Sequence, residues 1–537
     1  MLAPDIVAAI VDKTLSSEMM LIDLVAETPL IWDARRTGSE NASEQGASAR
    51  GLGSRGNSLP RRFQIKLHDL PVAEIRAYPA GRPATTRRCV MSLSNQFSVF
   101  SACMLVGVAF LPDAKAVPSY ARQTGMPCAA CHTTPPELTP FGRDFKINGY
   151  TLTGMQQIEA QGKGTQAGLK ISEVPPLSAM LLTSFTHTSK DQPDTQNNDT
   201  SFPQELSLFF AGEITPHIGS FLQLTYAQED DNLSLDNTDI RYANHLTVAG
   251  KDTIYGVTLN NSPTVEDPWN TTPVWGFPFI SSDVAPTPAA APLISDALAQ
   301  EVAGLGGYMF WDNHLYADLT LYRSAQILGE GPGGAPSNES DNTIKNVTPY
   351  WRVAWEQKIG SNTLEVGTFG LWSELYPQGI SGETDKYTDL AIDAQFEHPM
   401  GSNTLTLRGT YIHEHASLDG SVDDGLAAND SNTLETLNLN GTFHLGTKAA
   451  FSIGGFNTSG DKDKLLYPPD PVDGSANGSP DSRGWILQAT YLPWQNTQFT
   501  LQYVGYSKFN GDDHNYDGSG RDASDNDTIY LAAWLVW

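Results

Sequence analysis

Cys128 and Cys131 stand either side of two alanines, and His132 follows directly, in the run GMPCAACHTTPPELTPFGRDFKINGY from Gly125 to Tyr150. Two thiols at this spacing can each form a thioether to a vinyl group of a haem. The adjacent imidazole then lies under the iron as proximal ligand, leaving the opposite face for a second ligand or for none. A C-x-x-C pair also serves as a zinc half-site or a redox couple. Zinc would need a second pair of ligands, and no cysteine follows Cys131. A thiol–disulfide exchanger would need a βαβ context, which the surrounding sequence lacks. The motif therefore predicts one covalent haem c, bound through Cys128, Cys131 and His132.

The sixth iron position needs a ligand from outside the motif or stays open. Met155, just beyond PFGRDFKINGY, is the candidate second metal ligand beside His132. A thioether there would raise the haem potential; a plain packing role for Met155 is the competing reading. Met126 lies very close to Cys128, while Met180 and His187 fall inside the first expected strand.

The elements that must position this motif are mostly strands. From about Ala179 the chain becomes a series of short segments of alternating polarity, sixteen in all, ending at Asp527–Trp537. In HLYADLTLY, Leu315, Ala317, Leu319 and Leu321 would face one way, and Tyr316, Asp318 and Thr320 the other. Arg352 and Arg408 sit between apolar neighbours, as in a polar lumen. Tight connections, such as Asp312-Asn313 and Gly360-Ser361, alternate with long loops rich in Gly, Pro, Asn and Asp. An even strand count with this short–long alternation predicts a mainly β chain, a sixteen-stranded antiparallel transmembrane β-barrel with both termini in the periplasm. Closure pairs every backbone group in lipid, which an open sheet cannot do. The longest loop, Ser262–Gln300, carries SPTVEDPWNTTPVWGFPF; either it folds inward and narrows the lumen or it packs on itself outside.

Ahead of the barrel the chain reads in three pieces. Met91–Ala116 has the apolar core and small-x-small end, Ala114-Lys115-Ala116, of a secretory signal peptide, although no positive charge precedes the core after Met91. Cleavage there would remove Cys89 and Cys103 and leave only the haem pair of the four cysteines. Residues 1–90 show no sustained period and read as a misassigned start or a disordered extension. Residues 117–178 would form the cytochrome segment and residues 179–537 the barrel. The net charge of −28 argues against nucleic acid and favours cations as partners. Acidic loop clusters at Glu229–Asp231, Asp423-Asp424, Asp512-Asp513 and Asp522–Asp527 could concentrate cations. His413, His415 and His514 could bind metal transiently. Ordinary solvation is the simpler reading of each.

The stretch ARQTGMPCAACHTTPPELTPFGRDFKINGYTLTG, joined directly to a barrel, resembles the fused monohaem cytochrome–porin proteins of outer membranes. Iron oxidases of iron-oxidising bacteria are their best-known members. The likeness is close over Ala121–Gly154 and architectural beyond it. It implies a haem on Cys128, Cys131 and His132. It also implies oxidation of an extracellular donor, Fe(II) foremost, in the manner of an Fe(II):cytochrome c oxidoreductase. The electron would pass to a periplasmic cytochrome c, with outer-membrane lipid around the barrel. A diffusion porin whose cytochrome segment is a plug or sensor is the alternative.

Overall fold

The alternation of polarity builds a closed wall. A computed structural model describes residues 119–153, 157–159, 170–173, 175–193, 198–227, 232–295, 297–325 and 341–537, all within one compact unit, Phe97–Trp537. The expected extension and signal peptide lie outside the described residues, as does Met155.

The first eight strands are β1 (Leu177–Thr188), β2 (Asn198–Thr215), β3 (Ile218–Ala227), β4 (Asn232–Val248), β5 (Lys251–Asn260), β6 (Val302–Trp311), β7 (Leu315–Ser324) and β8 (Thr348–Ile359). The second eight are β9 (Asn362–Gln378), β10 (Asp385–Met400), β11 (Asn403–Ser417), β12 (Ser431–Leu445), β13 (Ala449–Gly460), β14 (Ser482–Trp494), β15 (Thr497–Lys508) and β16 (Thr528–Val536). Each pairs antiparallel with its neighbour in sequence. β16 returns to β1, from Thr528 opposite Thr188 to Val536 opposite Met180. Beyond the last paired residue, Trp537 and Ala179 exchange two backbone hydrogen bonds of 2.9 Å. The result is the expected sixteen-stranded antiparallel barrel. A short strand, Asp341–Ile344, adds to β9 above the ring, and a small ribbon pairs Gln157–Glu159 with Lys170–Ser172.

Some strands run further than their apolar alternation suggests. β2 begins at Asn198, whereas its alternating segment starts at Glu205, because its ladder to β1 continues through polar residues as far as His187 opposite Asn198. Backbone pairing does not need apolar side chains once a neighbour is in place.

The side chains divide as the period of two requires. On β7, Leu319 and Leu321 are 55% and 49% exposed, while Asp318, Thr320 and Tyr322 are buried inside. Leu208, Leu305, Ile392, Ile453 and Leu501 stand outward in the same way on five other strands. A continuous outward apolar belt around a closed, edge-free wall is the surface that lipid solvates and water does not.

One rim carries the tight turns. Ala249 and Gly250 have φ of 54° and 78°, and Asp312 and Asn313 have 53° and 55°. Two-residue hairpins of this kind need positive φ at both central residues, which explains the Gly, Asn and Asp at this rim. The opposite rim carries the long loops.

The loop between β5 and β6, spanning 261–301, folds into the lumen, so the inward alternative is the one the chain adopts. Trp269 is 1% exposed, and its ring N–H donates to Glu356 Oε2 at 2.7 Å. The Asp267 carboxylate accepts the backbone N–H groups of Trp269 and Thr271, both at 3.0 Å, and faces Arg352 at 3.2 Å. Arg352 points inward, as expected, and also pairs with Asp393 at 2.7 Å and Glu365 at 3.2 Å. Further along, the Leu293 and Ile294 N–H groups donate to Glu414 and Asp389.

Candidate functional site

Three short helices occupy the lumen at the tight-turn rim: α1 (Ser119–Thr124), α2 (Cys128–Cys131) and α3 (Pro140–Ile147). Their ends reach different parts of the wall. The Tyr120 hydroxyl donates to Ser220 O on β3 at 2.6 Å, and the Tyr308 hydroxyl on β6 donates to Ile147 O at 2.8 Å. The Cys128 N–H donates to Gln495 Oε1, in the turn between β14 and β15, at 3.1 Å. The segment thus plugs the barrel from within.

α2 is a single helical turn, so Cys128 and Cys131, three apart, fall on one face. Both thiols are free. The chain leaves the helix at His132 with φ −125° and ψ 137°. His132 Nδ1 faces the Glu137 carbonyl at 3.3 Å. That pairing assigns the proton to Nδ1 and leaves the Nε2 lone pair for a metal, the arrangement that orients a ligating imidazole.

The following loop folds back and clamps the motif onto α3. The Thr139 N–H donates to Cys131 O at 2.9 Å, and its hydroxyl donates to Ala130 O at 2.6 Å. The same hydroxyl oxygen caps α3 by accepting from the Gly142 N–H at 3.1 Å. Gly142 is needed for the contact, since a Cβ there would lie 2.2 Å from Cys131 O.

Electrostatics distinguish this pair from a reactive redox couple. Burial pushes the Cys128 thiol up, and burial with the neighbouring Cys128 takes Cys131 to about 11. Thiol-exchange cysteines have the opposite shift, towards a stable thiolate. Burial lowers the His132 pKa, which keeps the imidazole neutral and able to ligate.

Cys128, Cys131 and His132 open on one cavity of about 710 Å³, within the roughly 300–1,000 Å³ typical of cofactor sites. Met180 and Leu182 of β1 and Trp534 of β16 line its wall, and Trp275 and Phe279 of the inward loop line it further. A same-face cysteine pair, an oriented imidazole and a large cavity with apolar walls fit a covalently attached haem.

The plug is fastened by charges buried in the wall. Both terminal nitrogens of Arg143 donate to Glu397, at 2.9 and 3.0 Å, and Glu356 lies 3.3 Å away. Glu137 pairs with Arg408 at 2.8 Å and His444 at 3.0 Å. Burial alone would raise the Glu137 pKa, but Arg408 and His444 outweigh it and hold the carboxyl at about 2. Lys146 Nζ donates to Val265 O at 2.6 Å and Asp267 O at 2.9 Å, tying the plug to the inward loop. Burial, and then the nearby Arg241, bring Lys146 down to about 7.

Cys128, Cys131 and His132 line one cavity. Met155 lies outside the described residues, whereas Met180 is on the cavity wall. Asp512, Asp513 and His514 are exposed in the β15–β16 loop; Asp423 and Asp424 are exposed on the helical turn α4 (Asp419–Asp424). His413 lies 3.4 Å from Glu435 and His514 3.5 Å from Asp522. Glu229–Asp231 lie outside the described residues. Among the described residues, no three His, Cys, Asp or Glu side chains cluster as a metal site. The anchors Glu137, Arg143 and Lys146 belong to no motif; charged residues in a short segment destined for a polar lumen are the signal the sequence offers for them.

No family model and no curated protein matches the chain. Solved outer-membrane barrels do. An OmpT of Vibrio cholerae lacking loop L8 aligns over 67% of this chain and 98% of its own, with 11% identity and a TM-score of 0.37. OmpF of Salmonella typhi, solved with daunomycin, aligns over 67% and 97%, with 12% identity and a TM-score of 0.40. A bacterial polysaccharide outer membrane secretin aligns over 68% and 99%, with 9% identity and a TM-score of 0.31. The closure of this chain's ring stands on its own strand pairing.

Proposed function

We propose that this chain is an outer-membrane barrel whose lumen holds a single c-type haem and that it transfers electrons from an extracellular donor, Fe(II) foremost, to a periplasmic cytochrome. The observation that carries this is the shared cavity. The two thiols and the one imidazole of C-x-x-C-H open together on a space of about 710 Å³ inside a wall that lipid would surround. Cys128 and Cys131 would hold the haem covalently and His132 would ligate its iron; the group supplies one-electron redox chemistry.

The protein's own residues set its surroundings. Trp275, Phe279, Leu182 and Trp534 limit water, which favours the less charged reduced state. Arg143, Glu137 and Lys146 fix the plug so that the site keeps one position relative to the wall. In balance, one Fe(II) becomes Fe(III) and one electron reduces the acceptor. Exposed carboxylates on the long loops would favour a cationic donor.

The test is anaerobic mixing of the purified, haem-loaded protein with Fe(II) while the Soret band is followed. Rapid reduction, lost in a Cys128→Ala, Cys131→Ala variant, is expected. No reduction by Fe(II) or by other outer-surface reductants would overturn the electron-transfer reading.

A second reading follows from the barrel itself. Sixteen strands are the count of a diffusion porin, and the segment at the tight-turn rim would then be its plug or sensor. This reading expects ion conductance in planar bilayers from the intact protein, irrespective of haem content.

A further inference from the structure

We infer that Met180 would supply the haem iron's second protein ligand, beside His132, in place of Met155; this rests on the haem reading above. Side chains able to ligate a haem iron are His, Met, Cys and Tyr, with a neutral Lys able to do so as well. Among the described residues, apart from the motif's own Cys128, Cys131 and His132, the cavity presents five of these: Tyr120, Met126, Lys146, Tyr150 and Met180. Three are engaged elsewhere. Tyr120 donates its hydroxyl proton to Ser220 O and Tyr150 to Asp239 Oδ2. Lys146 Nζ serves two loop carbonyls and lies 4.7 Å from the Trp275 ring centre.

Two thioethers are left. Met126 precedes Cys128 by two residues, on the same side of the cavity as the attachment motif, and is 38% exposed. Met180 belongs to the barrel wall, is 6% exposed, and lines the cavity. It comes from a different element, and a ligand from outside the motif's own loop can reach the face that His132 does not occupy. Its place on β1 is also rigid. Val536 lies opposite in the ladder to β16, and Ser207 opposite in the ladder to β2.

The pattern of β1 points the same way. The residues of β1 on the inner face are Ser178, Met180, Leu182, Ser184, Thr186 and Thr188. Ser178 faces Ser119 of the plug at 3.5 Å, and Leu182 packs against Ile280 and Trp534. Met180 stands between them as the one thioether, among the described residues, that the barrel wall presents to the cavity.

The experiment uses the full-length haem-loaded protein. Wild type is expected to show the far-red sulfur-to-iron band of a methionine-ligated ferric haem. Met180→Ala should abolish that band, turn the ferric haem high-spin and shift its potential downward. Met180→His should restore a low-spin haem without the band. Met126→Leu and Met155→Leu should leave the spectrum unchanged. A band that survives Met180→Ala, or disappears in Met155→Leu or Met126→Leu, overturns the inference and leaves the haem reading intact. So does a wild-type spectrum without methionine ligation. Absence of covalent haem from the wild type would instead sink the haem reading, and a haem stain on a denaturing gel separates the two.

Discussion

Gly142 is the residue on which the attachment motif and the rest of the plug meet most closely. A methyl group there would stand 2.2 Å from Cys131 O, and a backbone atom cannot move aside as a flexible side chain can. Gly142→Ala should therefore push α2 away from α3, at a cost of about 1–3 kcal/mol for overpacking. The expected outcome is a lower haem-to-protein ratio with normal barrel assembly, measured by haemochrome absorbance against protein concentration. Glu137 gives the pH dependence at the same scale. Its carboxyl is held at about 2, well below its ordinary value of 4.5, so its contribution is fully present above pH 4.5. It fades as pH falls from there towards 2, by about 3 kcal/mol at roughly 1.36 kcal/mol per unit. Protease cleavage of the plug should rise across that window, and the rise should flatten in Glu137→Gln. Unchanged cleavage down to pH 2 would contradict the role of this pair. The cysteines and His132 were legible in the sequence because their chemistry is local. Glu137 was not, since its partners Arg408 and His444 stand hundreds of positions away.

Among the elements, α3 is the one that holds the plug to the wall. Arg143→Ala would leave Glu397 buried without its bidentate partner, and removing one member of a buried pair costs about 3–5 kcal/mol. The barrel strands do not depend on that pair, so the loss should fall on plug docking. Limited proteolysis should release the plug from Arg143→Ala while the barrel keeps its heat-modifiable mobility on gels; equal protection of the variant and the wild type would deny α3 this role. The strands themselves were readable from alternation. Leu319 and Leu321 outward with Thr320 and Tyr322 inward is what HLYADLTLY predicts. The inward fold of the loop between β5 and β6 was only half readable. Its tryptophans suggested packing, but the partners that decide where, Glu356 for Trp269 and Arg352 for Asp267, lie on other strands. β1 carried a signal that strand-reading hides. Met180 reads as a strand residue in the sequence, although an inward thioether is well placed to face a lumen.

At the scale of the whole molecule, one wall encloses two inserted pieces, the plug at the tight-turn rim and the loop between β5 and β6 further in. Both pieces stand in the path of ions, so intact protein in a planar bilayer should conduct far less than an open sixteen-stranded porin. Conductance should rise in Arg143→Ala as the plug loosens. High conductance of the intact protein would favour passage of solutes over passage of electrons. The proposed electron transfer assumes that the plug holds a covalent haem, and that assumption is measured most directly by intact mass and haemochrome absorbance on protein purified from a host with a c-type haem attachment system. One haem per chain is expected, retained through acid–acetone extraction and lost in the Cys128→Ala, Cys131→Ala variant. A wild-type chain carrying no covalent haem, with Cys128 and Cys131 as free thiols or joined to each other, would contradict it.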